Sequence, residues 1–124
     1  MKANLDSEEG VFSLWVGKFE DEDSFFEYLE QNYEGGVATS GFMKDFDIDW
    51  YDADYAAGDF FAERNAVEAL KEVDYSYSFS DDVFEEVLKY VDVNSMLVIY
   101  DCNAVNLKKR KGKLCFVGAF PYKK

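Results

Sequence analysis

Val11-Phe12-Ser13-Leu14-Trp15-Val16-Gly17-Lys18-Phe19 reads as a β-strand. Successive side chains of a strand point to opposite faces, so Phe12, Leu14 and Val16 share one face and Val11, Trp15 and Phe19 the other. Both faces are largely apolar, which predicts a strand in the interior of a sheet. Two further apolar runs lie late in the chain, Met96 to Tyr100 and Leu114 to Phe120. Arg110-Lys111-Gly112-Lys113 marks a turn between them. The three segments predict a sheet made of the N-terminal strand plus a C-terminal hairpin. The first strand can join either edge of that hairpin or sit beside its middle.

The stretch between these strands reads as helical. Glu20-Asp21-Glu22-Asp23-Ser24 places negative charge where a helix N-terminus favours it. Phe25, Phe26, Leu29 and Tyr33 follow at helical spacing, predicting about three turns closed by Gly35-Gly36. Phe42, Met43 and Phe46 after Ser40 suit a short helix, and Phe60 and Phe61 are expected to be buried. Asn65 and Glu68 form a capping-box pair opening a helix with Val67, Leu70 and Val73 inward. Tyr75 to Phe79 connect it to a helix capped by Ser80, with Asp81 and Asp82 in its first turn. Val83, Phe84, Val87, Leu88 and Val91 are its apolar stripe. The expected architecture is α+β: a small, mostly antiparallel sheet packed against three to four helices, which cover one face. Residues 1–124 are expected to form one domain with its core at about 11–122, since no repeat, low-complexity segment or linker interrupts them.

Composition narrows the function. Apolar residues make up 48% and aromatics 19% of the 124 residues, enough to build a core. The 26 acids outnumber the 13 bases, for a net charge of −13, the wrong balance for a nucleic-acid binder. All 26 acids lie in residues 1–101 with only six bases, a balance of −20, whereas residues 102–124 carry seven bases and no acid. That basic ribbon can fold back on the acidic body, or stand as a solvated hairpin tip whose lysines guard an edge strand. The longest uninterrupted apolar run is five residues, against the roughly 20 that a membrane helix needs, so no membrane partner is expected. Met1-Lys2-Ala3-Asn4-Leu5-Asp6 meets acids at once, so no secretion signal is expected and a cytoplasmic location is the default.

Histidine is absent, which removes the commonest general base and metal ligand and every Ser-His or Cys-His pair. Cys102 and Cys115 are too few for a disulfide scaffold and sit in apolar, strand-like surroundings, so both are expected to be reduced. Asp45, Asp47 and Asp49 stand at positions 1, 3 and 5 of a calcium loop. The template then fails: Trp50 takes the place of the turn glycine and Ala56 that of the bidentate glutamate. A carboxylate pair for glycoside hydrolysis has no specificity in so acidic a chain. No catalytic residue, metal or cofactor is therefore assigned.

The densest constellation is Asp45, Asp47, Asp49, Trp50, Tyr51, Asp52, Asp54 and Tyr55: five aspartates and three large rings in eleven residues. Trp and Tyr anchor protein interfaces, and carboxylates meet the Lys and Arg of a basic partner. This segment is the candidate contact surface, with the acidic stretch Glu20 to Glu30 as second choice. The competing reading makes the rings core and the acids a solvated rim.

The strand Val11 to Phe19, the following Glu22 to Tyr33, the block Ser40-Gly41-Phe42-Met43-Lys44-Asp45-Phe46 running through Ile48 to Tyr55, and Phe116-Val117-Gly118-Ala119 before Tyr122 resemble the immunity protein 22 family. The resemblance spans about residues 11–122; the stretch 60–95 adds little to it. It implies a bacterial cytoplasmic antidote, encoded beside a polymorphic toxin, that binds the toxin and blocks it without catalysis. No catalytic motif of the family carries over. The charge makes a basic toxin, such as a nuclease domain, the first guess. The alternative is another acidic interaction module, a nucleic-acid mimic or a regulatory partner protein; an enzyme comes third. Oligomeric state stays open.

Overall fold

A computed structural model describes residues 3–124. Met1 and Lys2, part of the segment expected to carry no secretion signal, lie outside it. In chain order the elements are β1 (Ala3–Asn4), β2 (Asp6–Gly17), α1 (Glu22–Leu29), β3 (Asn32–Glu34), β4 (Val37–Thr39), α2 (Gly41–Asp45), β5 (Ile48–Trp50), β6 (Ala56–Phe60), α3 (Ala66–Lys71), α4 (Asp81–Val87), β7 (Ser95–Asn103) and β8 (Leu114–Pro121). Short 3-10 turns fall at Ala53–Tyr55 and Ser76–Ser78. The fold is α+β, as expected, around an antiparallel four-stranded sheet in the order β6-β7-β2-β8.

β2 is interior, as its two apolar faces require: Trp15 pairs with Leu97 on β7 and with Phe116 on β8. This overturns the expected C-terminal hairpin. β7 ends at Asn103 and β8 starts at Leu114, so ten residues intervene, too many for a tight turn. β2 fills the space between the two strands and takes hydrogen bonds on both edges.

The expectation of helices on one face is also overturned, because each face of β2 needs a cover. Phe12, Leu14 and Val16 pack with Met96 and Val98 against α3 and α4, where Leu70, Val83 and Val87 are buried. Trp15 packs on the other side with Leu97 and Ile99 against α1 and α2, through Phe25, Phe42 and Phe46. Fully burying a side chain of this size contributes about 1.5–3 kcal/mol. The Trp15 indole N–H finds no acceptor among the described residues, a desolvation cost that the rings of Phe42, Phe46 and Phe116 around it offset.

The helices form where expected but are shorter. Asp21 caps α1, its carboxylate accepting the Ser24 N–H at 2.7 Å, and Phe25 and Tyr28 are buried. Tyr33 is not on this helix: Gly35 and Gly36 take φ of 61° and 85°, the geometry of a two-residue hairpin turn, and draw the flanking residues into β3 and β4. Asn65 caps α3 as predicted, accepting the Glu68 N–H at 2.8 Å. The buried residues there are Ala66, Ala69 and Leu70, with Val67 and Val73 half-buried. Phe61 is buried and Phe60 half-buried. α4 begins after Ser80, whose side chain makes no capping bond. It ends at Val87, where i→i+3 bonds from Lys89 and Tyr90 tighten the last turn. That rotation leaves Leu88 and Val91, expected in the stripe, exposed.

Candidate functional site

The segment Asp45–Tyr55 joins α2 to β6, and the backbone divides its residues into two groups. Ser40 starts α2, its Oγ accepting the Met43 N–H at 3.1 Å, so Phe42, Met43 and Phe46 enter the core. Asp45 at the other end is a structural clasp. It accepts the Tyr28 hydroxyl at 2.7 Å and the Lys113 backbone N–H at 3.1 Å. Burial, and then the Asp45 carboxylate, push the Tyr28 phenol well above its ordinary range. Asp47 sits in the left-handed region at φ 53° and pairs with Lys109 at 3.1 Å. These two aspartates bind the basic ribbon, which folds back on the body there.

β5 follows, paired in parallel with β1. Ile48 points into the core, while Asp49 and Trp50 are exposed, Trp50 by 57%. The Trp50 carbonyl accepts the Leu5 N–H at 3.2 Å, which fixes the backbone under the exposed indole. Tyr51 turns inward and meets Phe42 edge-on at 5.6 Å, so this ring is core. Asp52, half-buried, caps the 3-10 turn by accepting the Asp54 N–H at 3.1 Å. The turn lifts Asp54 and Tyr55 to the surface, Tyr55 with 48% exposure. Of the eight predicted residues, Trp50, Asp52 and Tyr55 line one cleft, Asp54 lies beside Tyr55 on the next, and Asp49 is exposed on β5. Tyr51 is core, and Asp45 and Asp47 hold the neighbouring loop.

Two clefts flank Tyr55. One, of about 80 Å³, lies between Trp50 and Tyr55 with Leu5, Ser7 and Cys102 beneath. The other, of about 260 Å³, lies between Tyr55 and Tyr75, Tyr100 and Tyr122. Sequence reading missed these three tyrosines, because only the tertiary fold brings Tyr75 of the connector between α3 and α4, Tyr100 of β7 and Tyr122 after β8 to position 55. Asp101 holds Tyr122 in this frame. At φ 51° it closes a bulge in which β2 runs from Ser7 to Phe12 while β7 runs only from Cys102 to Tyr100. Its Oδ1 accepts the Gly10 N–H at 3.0 Å and the Tyr122 hydroxyl at 2.6 Å, and its Oδ2 pairs with Lys124 at 3.0 Å. Burial raises the Asp101 carboxyl, but the bonds from Tyr122, Gly10 and Lys124 outweigh it and hold it below the ordinary carboxylate range.

Among the described residues, no three carboxylate or cysteine side chains converge on a metal position, and no helix is long and apolar enough to cross a membrane. Cys102 lies on β7 and Cys115 on β8, with β2 between them.

Exposed Trp and Tyr rings set among carboxylates have the composition found at protein interfaces. A family model described as Immunity protein 22 matches residues 12–123, and the chain belongs to that family. Membership in a family of immunity proteins gives a toxin-neutralising role, with a toxin as the binding partner. Neither a curated protein nor a solved structure matches the chain.

Proposed function

We propose that this protein, acting in the cytoplasm, neutralises one cognate polymorphic toxin by binding it and not by catalysis. The proposed contact surface is Asp49, Trp50, Asp52, Asp54 and Tyr55. The observation that carries this reading is the exposure of Trp50 and Tyr55 near exposed Asp49 and Asp54 and half-buried Asp52, in a chain with a net charge of −13. Large rings are held at the surface by a backbone that buries Ile48 and Tyr51, so they are presented in fixed positions. Fixed anchors lose little freedom on binding, and the carboxylates around them match a basic toxin domain, a nuclease being the first candidate. A nuclease surface shaped for phosphates would receive these carboxylates in their place.

The test is co-expression with the toxin domain encoded beside the gene. The intact protein should restore growth and co-purify with the toxin, and Trp50→Ala combined with Tyr55→Ala should lose both. Growth restored equally by the doubly substituted protein would move the contact surface elsewhere. No protection by the intact protein would remove the toxin reading.

A further inference from the structure

The larger cleft beside Tyr55 has a chemistry of its own. Tyr75, Tyr100 and Tyr122 form a triangle of rings with centroids 5.3 to 5.6 Å apart. Two of the rings are locked, since the Tyr100 hydroxyl donates to the Asp74 carbonyl at 2.8 Å and the Tyr122 hydroxyl to Asp101. Asp54, Tyr55 and Asp74 also line the cleft. Among the described residues neither the Asp54 nor the Asp74 carboxylate is in an ion pair. One cation is already present. Lys124 lines the cleft, and its ammonium, 53% of the side chain exposed, rests on Asp101 at the edge.

We propose that this cleft is a socket for a cationic side chain of the toxin, an arginine in preference to a lysine. Lys124 is the stand-in that leaves when it arrives. A planar guanidinium stacks on tyrosine faces and bonds carboxylates in a fork, which a compact ammonium cannot do. The two unpaired carboxylates supply the charge, and exposed Tyr55 with half-buried Tyr75 supplies the ring surface, backed by the buried rings of Tyr100 and Tyr122. Lys124 is displaceable because an ion pair exposed on one side holds its partner weakly. This assignment rests on the reading of the protein as a toxin-binding one, since it names the toxin group that enters.

The probe is N-acetyl-arginine methylamide, titrated into the full-length protein while the tyrosine ring signals are followed by NMR. Saturable shifts of Tyr55, Tyr75 and Tyr122 are expected, and the uncharged citrulline counterpart should bind at least about threefold more weakly. Asp54→Asn with Asp74→Asn, both surface changes, should weaken the arginine probe by about threefold or more, and Lys124→Met should strengthen it by a similar factor. Equal shifts from the citrulline probe, or a doubly substituted protein that binds like the original, would overturn the socket. Sedimentation distinguishes a second copy as the source of the cation: a dimer that dissociates on Asp54→Asn with Asp74→Asn would overturn the toxin assignment. Toxin protection without arginine binding overturns the socket alone, whereas arginine binding without toxin protection overturns the named partner.

Discussion

Trp50 and Tyr51 are neighbours in opposite environments, and the contrast comes from the end of the strand and not from its period, since Trp50 shares a strand face with Ile48 yet is exposed. β5 buries Ile48, and the turn after Trp50 drives Tyr51 against Phe42. Tyr51→Ala should lower the unfolding free energy by about 3–5 kcal/mol, the cost of deleting a core ring. Trp50→Ala should leave stability within about 1 kcal/mol and weaken toxin binding by at least about 2 kcal/mol. Denaturant unfolding and calorimetric titration with the toxin domain separate the two; equal stability losses would place Trp50 in the core as well. Asp101 gives a pH prediction. Its folded carboxyl is held below the unfolded value, so its contribution is complete above the ordinary carboxylate range and is lost as pH falls through the folded value. Asp101→Asn keeps a residue that tolerates a φ of 51° and removes the titration. Unfolding measured from neutral to acid pH should show a shallower acid-side fall for that variant than for the native chain. Identical slopes would remove Asp101 from the acid response.

At the scale of elements, β2 organises everything else, and the cost of disturbing it is local and steep. A Cβ on Gly17 would lie 2.5 Å from the Lys113 carbonyl oxygen, a backbone atom that cannot swing aside. Gly17→Ala should therefore destabilise by about 1–3 kcal/mol, read as a lowered denaturant midpoint with unchanged slope. Stability equal to the native chain would mean that β8 moves to accommodate the methyl. The alternation in residues 11–19 revealed this strand and its interior place, and the capping residues Ser40 and Asn65 revealed where α2 and α3 begin. Those signals are local, a side chain answering the backbone two or three residues away. Partner choice is not local. Nothing between Met96 and Phe120 says that β2 will come between β7 and β8. The same double-sided alternation did call for cover on both faces, which the one-face expectation overlooked. Gly35-Gly36 is ambiguous by nature, since positive φ serves a helix end and a hairpin turn alike. In the candidate segment the mixture of rings and acids was visible, but not its division into clasp, core ring and outward surface. That division depends on Lys109 and Lys113, more than fifty residues away.

For the whole molecule, the charge has two uses. Part of the basic ribbon is consumed inside the fold, with Lys109 on Asp47 and Lys124 on Asp101, while Arg110 lies over the Phe116 ring. The ribbon therefore does not offer a free +7 surface, and the acidic body dominates what an approaching partner meets. Like charges on one body repel, which costs stability, and the two cores of the sheet offset that cost without cross-links. Thermal unfolding should be unchanged by reductant or chelator, because the thiols of Cys102 and Cys115 stand on strands separated by β2. A fall of many degrees with either would reveal a covalent or metal staple. The remaining charge acts at a distance. A net charge of −13 on a 14.3 kDa chain attracts a basic domain before contact, and salt screens that attraction beyond a Debye length of about 8 Å at physiological ionic strength. The association rate with a basic toxin domain should accordingly fall, by about tenfold or more, as salt rises from low to well above physiological. The dissociation rate, which the proposed contacts of Trp50 and Tyr55 would set, should change far less. Stopped-flow mixing across a salt series measures both. Replacing Asp52 and Asp54 by Asn removes only two of 26 acids, so it should reduce the salt slope slightly while raising the dissociation rate clearly. An association rate flat across the series would mean that the toxin is not basic. The ring contacts would then carry recognition alone.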